Sequence, residues 1–291
     1  MLLILIAVVC ATLMWPVSRW IVRHGGRTVL YSLWLSVTAA IISGLVSLKT
    51  GQSLLQPTVW YIGIIIGFAF ATGFCLVIMY CLKIGPGGPT VAMNNMGLVW
   101  PVLLDAIWLK PHSLNTFMMT GLTLIIFSLI IFGFGNMEKS NKSCIPKISV
   151  RWMYWAFLGW ILAGVSMTGQ LLGSIYVPDS PFALIFAFTL TAAVILFLIV
   201  FKSQDNYFNK REIIAGGVMG FLLVAAGAAT LTALRYLNAG TVFSFTVVTP
   251  IILMLIIGRF VYHESLAKKD WLACFLSICG LINLVLGQNN L

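Results

Sequence analysis

Apolar residues are concentrated in ten runs that short polar connections separate. Most runs have about 18 residues or more, the length at which a helix crosses the hydrocarbon core of a bilayer. None shows the regular apolar–polar alternation that is typical of barrel strands. The pattern predicts an all-α integral membrane protein with ten transmembrane helices. The runs cover residues 2–20, 29–48, 59–82, 90–109, 117–134, 152–173, 181–201, 213–237, 241–261 and 271–286.

Composition excludes a water-soluble protein. Hydrophobic residues make up 60% of the 291 residues and charged residues only 8%, and the mean hydropathy is +1.04. Soluble proteins have about 25% charged residues. The connections are too short for a catalytic domain, and no metal-ligand spacing or phosphate-binding loop occurs in the sequence. We expect no enzyme, no cofactor, no metal and no nucleic-acid partner. The expected partners are the lipid bilayer and a small-molecule substrate, with the chain as a monomer or homodimer.

Basic residues predict how the chain is oriented in the membrane. The 17 lysines and arginines exceed the seven acidic residues and give a net charge of +10, and fourteen of the 17 follow odd-numbered runs. Only Lys49, Lys110 and Arg235 follow even-numbered runs. Because cytoplasmic connections are enriched in Lys and Arg, the odd-numbered connections are predicted to be cytoplasmic. The sequence therefore predicts a multi-pass protein of the cell membrane, with both termini outside.

The chain also matches itself at a nearly constant shift. A shift of 152 residues places Lys83 on Arg235 and Gly88 on Gly240. A shift of 153 places the Thr-Ala-Ala that begins at Thr38 on the Thr-Ala-Ala that begins at Thr191. A constant shift that holds across several helices is typical of an internal duplication.

The duplication divides the chain into two repeats. Residues 1–135 form the first, residues 136–152 a polar linker and residues 153–287 the second. Each repeat contains five predicted spans, an odd number, so the second must insert upside down relative to the first. Inverted repeats around a site at the membrane midplane are common in secondary transporters.

Several motifs carry a family resemblance. The stretch from Ala233 to Gly240 reads Ala-Leu-Arg-Tyr-Leu-Asn-Ala-Gly, Pro250 follows in mid-span, and His-Glu-Ser-Leu begins at His263. Together with Trp15, these residues resemble the EamA repeat of the drug/metabolite transporter superfamily. The resemblance covers nearly the whole chain as two copies, of which the second is the better match. It implies a ten-helix fold, although its usual cytoplasmic termini differ from those that the charge distribution predicts.

The resemblance implies a secondary-active transporter that works by alternating access, and most simply an exporter of a small polar metabolite such as an amino acid. The first run contains no carboxylate, whereas small multidrug resistance relatives couple cation export to protons through a Glu in that helix. An exporter of drugs or aromatic cations is an alternative. A non-transporting assembly or sensor protein is another.

Polar residues in the fourth and ninth runs are the candidate substrate-binding groups. Asn94 and Asn95 lie about two turns inside a membrane span, where unpaired amides are costly. The repeat shift places Asn94 on Thr246. Pro101 and Pro250 remove a backbone hydrogen bond in mid-span and allow kinks there. We expect the site where these two spans face each other.

Three deep tryptophans are further candidates for the binding site. Trp15, Trp34 and Trp100 lie within runs, and an indole N–H in the membrane needs a partner. Trp100 shares a helix face with Gly97 and not with Asn94, so it either packs against a neighbouring helix or lines a separate aromatic surface.

Charged residues near span ends are candidates for gating or coupling. Asp105 is predicted either to pair with a basic group at the interface or to act as a gate or proton site. Arg259 is one candidate partner, and the pairing stays unassigned. Lys83 and Arg235, matched by the shift, either attract anionic groups to the cavity mouths or extend to lipid headgroups.

The predicted orientation can be tested at Cys144, in the connection after the fifth run. We expect an impermeant maleimide to label Cys144 only from the cytoplasmic side. Labelling is measured on intact cells and on inverted vesicles, with Cys144→Ser as the control for the other five cysteines. If intact cells are labelled and the labelling is lost in Cys144→Ser, the orientation is the reverse of the predicted one.

Overall fold

The computed structural model describes residues 2–23, 25–84, 90, 93–109, 115–135, 149–203, 209–260 and 268–289. Helices account for nearly all of this part of the chain, and it contains no strand. The predicted all-α class is therefore confirmed for these residues. The α-helices are α1 (Leu2–Arg23), α2 (Thr28–Lys49), α3 (Pro57–Ala69), α4 (Met79–Ile84), α5 (Val99–Leu104), α6 (Thr116–Gly135), α7 (Val150–Tyr176), α8 (Pro181–Ser203), α9 (Lys210–Leu234), α10 (Ala239–Phe260) and α11 (Lys268–Asn289).

Five of the described helical segments are long and apolar enough to cross a membrane. Four shorter apolar helices accompany them, within α1, α6, α10 and α11. A multi-pass membrane protein follows from these segments, while the full count of ten spans stays a prediction. The five segments are Thr28–Lys49, Pro57–Cys81, Val150–Tyr176, Pro181–Lys202 and Lys210–Leu234.

The helices form two compact units, and each takes segments from both predicted repeats. Unit 1 comprises residues 1–76 and 168–236, and unit 2 comprises residues 77–167 and 237–291. In unit 1, Leu30 near the start of α2 packs with Val200 near the end of α8. Gly44, near the end of α2, lies against Phe186 near the start of α8. Helices α2 and α8 are therefore antiparallel.

Two Gly-xxx-Gly pairs bring helices of unit 1 into close contact. A Cβ on Gly63 of α3 would lie 2.5 Å from the Cβ of Ala187 in α8. A Cβ on Gly220 of α9 would lie 2.7 Å from the carbonyl oxygen of Leu35 in α2. Small residues allow such approach in membrane helices, where dispersion contacts replace the hydrophobic effect as the main attraction. The pairs are Gly63 with Gly67 on α3, and Gly216 with Gly220 on α9.

The two glycine contacts are related by the same shift as the sequence repeat. Adding 153 to the residue number of each glycine of α3 gives the number of a glycine of α9. Subtracting 153 from the numbers of the α8 residues that contact the glycines of α3 likewise gives α2 residues that contact the glycines of α9. The contact of α3 with α8 therefore has a counterpart, residue by residue, in the contact of α9 with α2. The neighbours are Ala187, Phe188 and Thr191 in α8 and Trp34, Leu35 and Thr38 in α2.

In unit 2, α6 packs antiparallel to α11. The hydroxyls of Ser128 and Ser277 lie 2.7 Å apart and hydrogen-bond in a buried position. Asn115, just before α6, donates its amide to the carbonyl of Gly287 near the end of α11, at 2.7 Å. A third contact joins the first turn of α7 to the fourth run, since Trp152 donates its indole N–H to the hydroxyl of Thr90 at 2.9 Å. Unit 2 thus combines tight helix packing with polar bonds between helices.

The glycine contacts predict a large difference between two neighbouring positions of α9. Gly220→Ala places a Cβ 2.7 Å from the carbonyl oxygen of Leu35 and 2.8 Å from Thr38 Cβ. We expect a loss of about 1–3 kcal/mol, the usual cost of overpacking. The measurement is the midpoint of thermal unfolding in detergent, followed by tryptophan fluorescence.

Gly217→Ala is the matched control, because a Cβ there meets nothing within 4 Å. Alanine also favours the helical backbone over glycine, so the midpoint should stay or rise. Equal losses at both positions would show that the two backbones do not approach closely at Gly220.

Candidate functional site

The predicted fourth span changes its helix type along its length. A 3₁₀ turn covers Met96–Leu98, α5 follows, and the π-helical segment Asp105–Leu109 completes the described stretch. Pro101 lacks an amide proton, so the carbonyl of Gly97 has no donor four residues on. Such 3₁₀ and π segments inside helices often occur at hinges and functional sites. Pro250, in contrast, lies inside a continuous α10.

Asp105 joins this irregular segment to the start of α10. Its Oδ2 accepts the backbone N–H of Ala239, the first residue of α10, at 2.9 Å. In the next residue, a Cβ on Gly240 would lie 3.6 Å from a methyl carbon of Val102. Unpaired N–H groups at a helix start favour a carboxylate. Asp105 thereby holds the fourth predicted span against the ninth, as expected of two spans that face each other.

The other carboxylate oxygen of Asp105, Oδ1, differs from Oδ2 in its hydrogen bonding. The residue is 3% exposed, and its Oδ1 is buried with no hydrogen-bond partner in the described part of the chain. The partner found for Asp105 is thus a backbone N–H, whereas the side chain of the candidate Arg259 lies outside the described residues. A buried carboxylate oxygen of this kind is available to a proton or a solute.

Thr246, the predicted counterpart of Asn94, uses its hydroxyl within its own helix. It donates to the carbonyl of Val242 at 2.9 Å, with a longer contact of 3.3 Å to that of Phe243. Its proton is therefore committed to the backbone of α10, and toward a solute the hydroxyl can only accept.

Three other hydroxyls of α10, those of Thr241, Ser244 and Thr249, are buried and have no such bond among the described residues. Thr241 and Ser244 lie about one turn apart and are 3% and 0% exposed. Helix α10 packs against the 3₁₀ turn Met96–Leu98 and against α5. The sequence did not single out Thr241 and Ser244, because the repeat shift places them on Pro89 and Ala92, which have no polar side chain.

Asn94 and Asn95 lie immediately before the 3₁₀ turn. Asn94 is half-buried and Asn95 is buried. Both candidates belong to unit 2, as do Asp105 and the hydroxyls of α10. Amide groups, hydroxyls and one carboxylate therefore occur on two helices that pack against each other.

Trp100 lies on the face that its helical position predicts. Its ring packs on Trp160 of α7, with centroids 5.3 Å apart, and against Gly164. A Cβ on Gly97 would lie 2.9 Å from the backbone nitrogen of Gly164, so both residues of this face contact α7. The indole N–H of Trp160 is buried without a partner in the described chain.

The remaining candidates lie in other parts of the fold. Trp34 belongs to unit 1, half-buried against Gly216 of α9. Arg235, also in unit 1, pairs with the exposed Asp179 at 2.9 Å, an arrangement that contributes about 0–1 kcal/mol. Trp15 lies within α1 and Lys83 within α4, and their side chains fall outside the described residues.

Glu212 is a buried carboxylate that the sequence pattern missed. The eighth predicted run begins at residue 213, but α9 begins three residues earlier, so Glu212 lies in its first turn and is 1% exposed. Its Oε1 accepts the backbone N–H of Arg27 at 3.0 Å, and its Oε2 is buried with no partner in the described residues. Glu212 is buried because the polar start of α9 is folded against the turn before α2.

Comparisons with known proteins agree with this architecture. The chain is similar to the crystal structure of another protein, with a TM-score of 0.77 at 16% identity. The alignment covers 99% of this chain and 98% of the other protein's chain. At that identity the similarity shows the fold alone. No curated protein matches the chain. Residues 150–286 match the EamA-like transporter family, as the motifs around Pro250 indicate. Over this segment, which is slightly less than half of its length, the chain is therefore similar to the EamA-like transporter family.

Proposed function

We propose that the chain is a secondary-active transporter that exports a small polar metabolite, such as an amino acid, across the cell membrane. The EamA-like match over residues 150–286 supports transport. The helices that are long enough to cross a membrane support a multi-pass location. No P-loop motif occurs in the sequence, and a gradient of solute or ion supplies the driving force.

Alternating access would arise from exchange between two inverted repeats, residues 1–135 and 153–287. The glycine contacts support this arrangement, because α3 on α8 and α9 on α2 use residues related by 153. The antiparallel packing of α2 and α8, which this shift also relates, supports inversion rather than simple duplication. Exchange of two half-conformations would open the site to each side in turn.

The observation that carries the site is that α10 has buried hydroxyls, those of Thr241 and Ser244 among them, with no hydrogen-bond partner in the described residues. A buried polar group that lacks a hydrogen bond costs about 1–3 kcal/mol, and a bound solute that supplies the bond recovers this energy. Ser244 and Thr241 would provide such bonds, with Asn94 across the contact of α10 with the fourth span. Hydroxyls and amides both donate and accept, which suits a neutral or zwitterionic solute better than an ion.

Asp105 would act as the gate of this site. Its bond to the N–H of Ala239 fixes the start of α10 relative to the fourth span. The exchange of repeats would break this bond and free both groups for water or solute.

An exporter of aromatic cations is the second candidate. The neighbouring rings of Trp100 and Trp160, whose planes are tilted by 46°, support it, because cations bind favourably over indole faces. Under this alternative, aromatic side chains rather than hydroxyls determine the affinity.

Counterflow in reconstituted vesicles tests the proposal. Labelled amino acids and nucleosides, and an aromatic cation for the alternative, are screened with the wild-type protein. For the solute found, we expect Asn94→Leu and Ser244→Ala to weaken binding by about 1–3 kcal/mol, or roughly five- to hundredfold.

Thr123→Ala is the matched control, since this exposed hydroxyl of α6 bonds only its own helix at 2.8 Å. Wild-type affinity in folded Asn94 and Ser244 variants, together with a large loss in Trp100→Leu, would favour the aromatic-cation exporter instead.

A further inference from the structure

In unit 1, two helix starts are each capped by a side chain from elsewhere in the chain. At α2, Oε1 of Glu212 accepts the N–H of Arg27, the residue before the first turn, at 3.0 Å. Arg27 has an extended backbone and forms no side-chain cap of its own. At α8, Oε1 of Gln52 accepts the N–H groups of Phe182 and Ala183 at 3.0 and 3.2 Å.

The two capped helix starts are counterparts under the repeat shift, although the capping residues are not, since a shift of 153 carries Gln52 to Asp205 and not to Glu212. A shift of 153 carries Thr28, at the start of α2, to Pro181, at the start of α8. Glu212 belongs to α9, the glycine-bearing helix that packs on α2. Gln52 immediately precedes α3, the glycine-bearing helix that packs on α8. Because α2 and α8 are antiparallel, the caps lie at opposite ends of unit 1.

The caps differ in one chemical respect, which is that Glu212 can bind a proton and Gln52 cannot. The carboxylate is 1% exposed, and its Oε2 has no partner in the described residues. As an anion it is stabilised by the start of α2 and by the guanidinium of Arg27, whose Nε lies 3.8 Å from Oε1. A proton on Oε2 neutralises the side chain, and the hydrogen bond from Arg27 N–H loses its charge-assisted strength.

We propose that Glu212 binds the proton that couples transport, and that its protonation releases the start of α2 while the matched start of α8 stays closed. This inference deepens the proposed function by naming the coupling ion. The proton adds to one carboxylate oxygen, and no other covalent bond changes. Only one of the two helix starts then responds to a proton gradient, which makes the exchange of the repeats directional.

Other ionisable groups near Glu212 bear on the test. Those in the described residues include Arg27, the exposed Lys210 and Arg211 in its own helix, and the exposed Lys202 in the last turn of α8. Tyr31 of α2 is another, and its hydroxyl lies 3.1 Å from that of Ser18 in α1. The sequence also places Arg19, Arg23 and His24 at or just after the end of α1, and their side chains lie outside the described residues. Histidine side chains ordinarily titrate within the pH range of the test, so His24 needs its own variant.

Hydrogen exchange of the protein without substrate tests the proposal. Exchange is followed by mass spectrometry at about pH 8 and about pH 3, which lie well above and more than one pH unit below the ordinary pKa of a glutamate side chain, about 4.3. Rates are corrected for the intrinsic effect of pH. We expect protection at residues 25–31 to fall about five- to tenfold at low pH, since a neutral cap is weaker than a charged one. Protection at residues 181–187 should stay constant.

Three variants assign the effect. Glu212→Gln keeps an acceptor oxygen but cannot titrate, so protection at residues 25–31 should no longer depend on pH. Gln52→Glu should create the dependence at residues 181–187. His24→Gln should behave as the wild type. The Gln52 variant keeps the test decisive even if Glu212→Gln does not fold.

Wild-type protection that is equal at both pH values would overturn the proposal. A pH dependence that persists in Glu212→Gln or disappears in His24→Gln would also overturn it. Because no substrate enters this experiment, its failure is distinct from failure of the proposed function, which is judged by counterflow alone.

Discussion

Direct contact between glycine backbones and neighbouring helices is the interaction on which unit 1 depends. Inside a bilayer, apolar side chains gain little by leaving lipid for protein, so short-range dispersion contacts must supply much of the attraction between helices. Gly63 and Gly67 bring α3 onto α8, and Gly216 and Gly220 bring α9 onto α2. A Cβ at any of these positions would meet a neighbouring atom at 2.8 Å or less. Glycine is therefore required there by space rather than by backbone conformation.

This packing brings helix starts beside side chains from distant parts of the chain. Unpaired N–H groups at a helix start are costly away from water. They are bonded here by Glu212 at α2, Gln52 at α8 and Asp105 at α10. Glu212 and Asp105, the two carboxylates that are buried among the described residues, thus have a structural role. Each also leaves one oxygen without a partner in the described residues, and that oxygen can bind a proton or a solute when the arrangement changes.

Much of the fold could be predicted from the sequence, because bilayer thickness fixes the length of apolar runs. The described parts of the predicted runs are almost entirely helical, and the fourth and ninth spans meet as expected. The site was less predictable. Whether Thr246 bonds its own helix or a neighbour depends on a side-chain rotamer, which helical periodicity does not determine. Glu212 was missed because its polar neighbours resemble a connection, and only the packing of α9 shows that it is buried. Ser244 was missed because its repeat counterpart is Ala92.

Inversion of the two repeats is the central claim, and one labelling experiment tests it most directly. Ser53, in the turn before α3, and Lys210, the first residue of α9, are exposed positions at the starts of the two matched glycine helices. Each is replaced by cysteine in turn in a Cys144→Ser background, and an impermeant maleimide is added to either side of the membrane. Inverted repeats predict that Ser53→Cys and Lys210→Cys react from opposite sides. Reaction of both from the same side would contradict the inversion and the alternating-access account that rests on it.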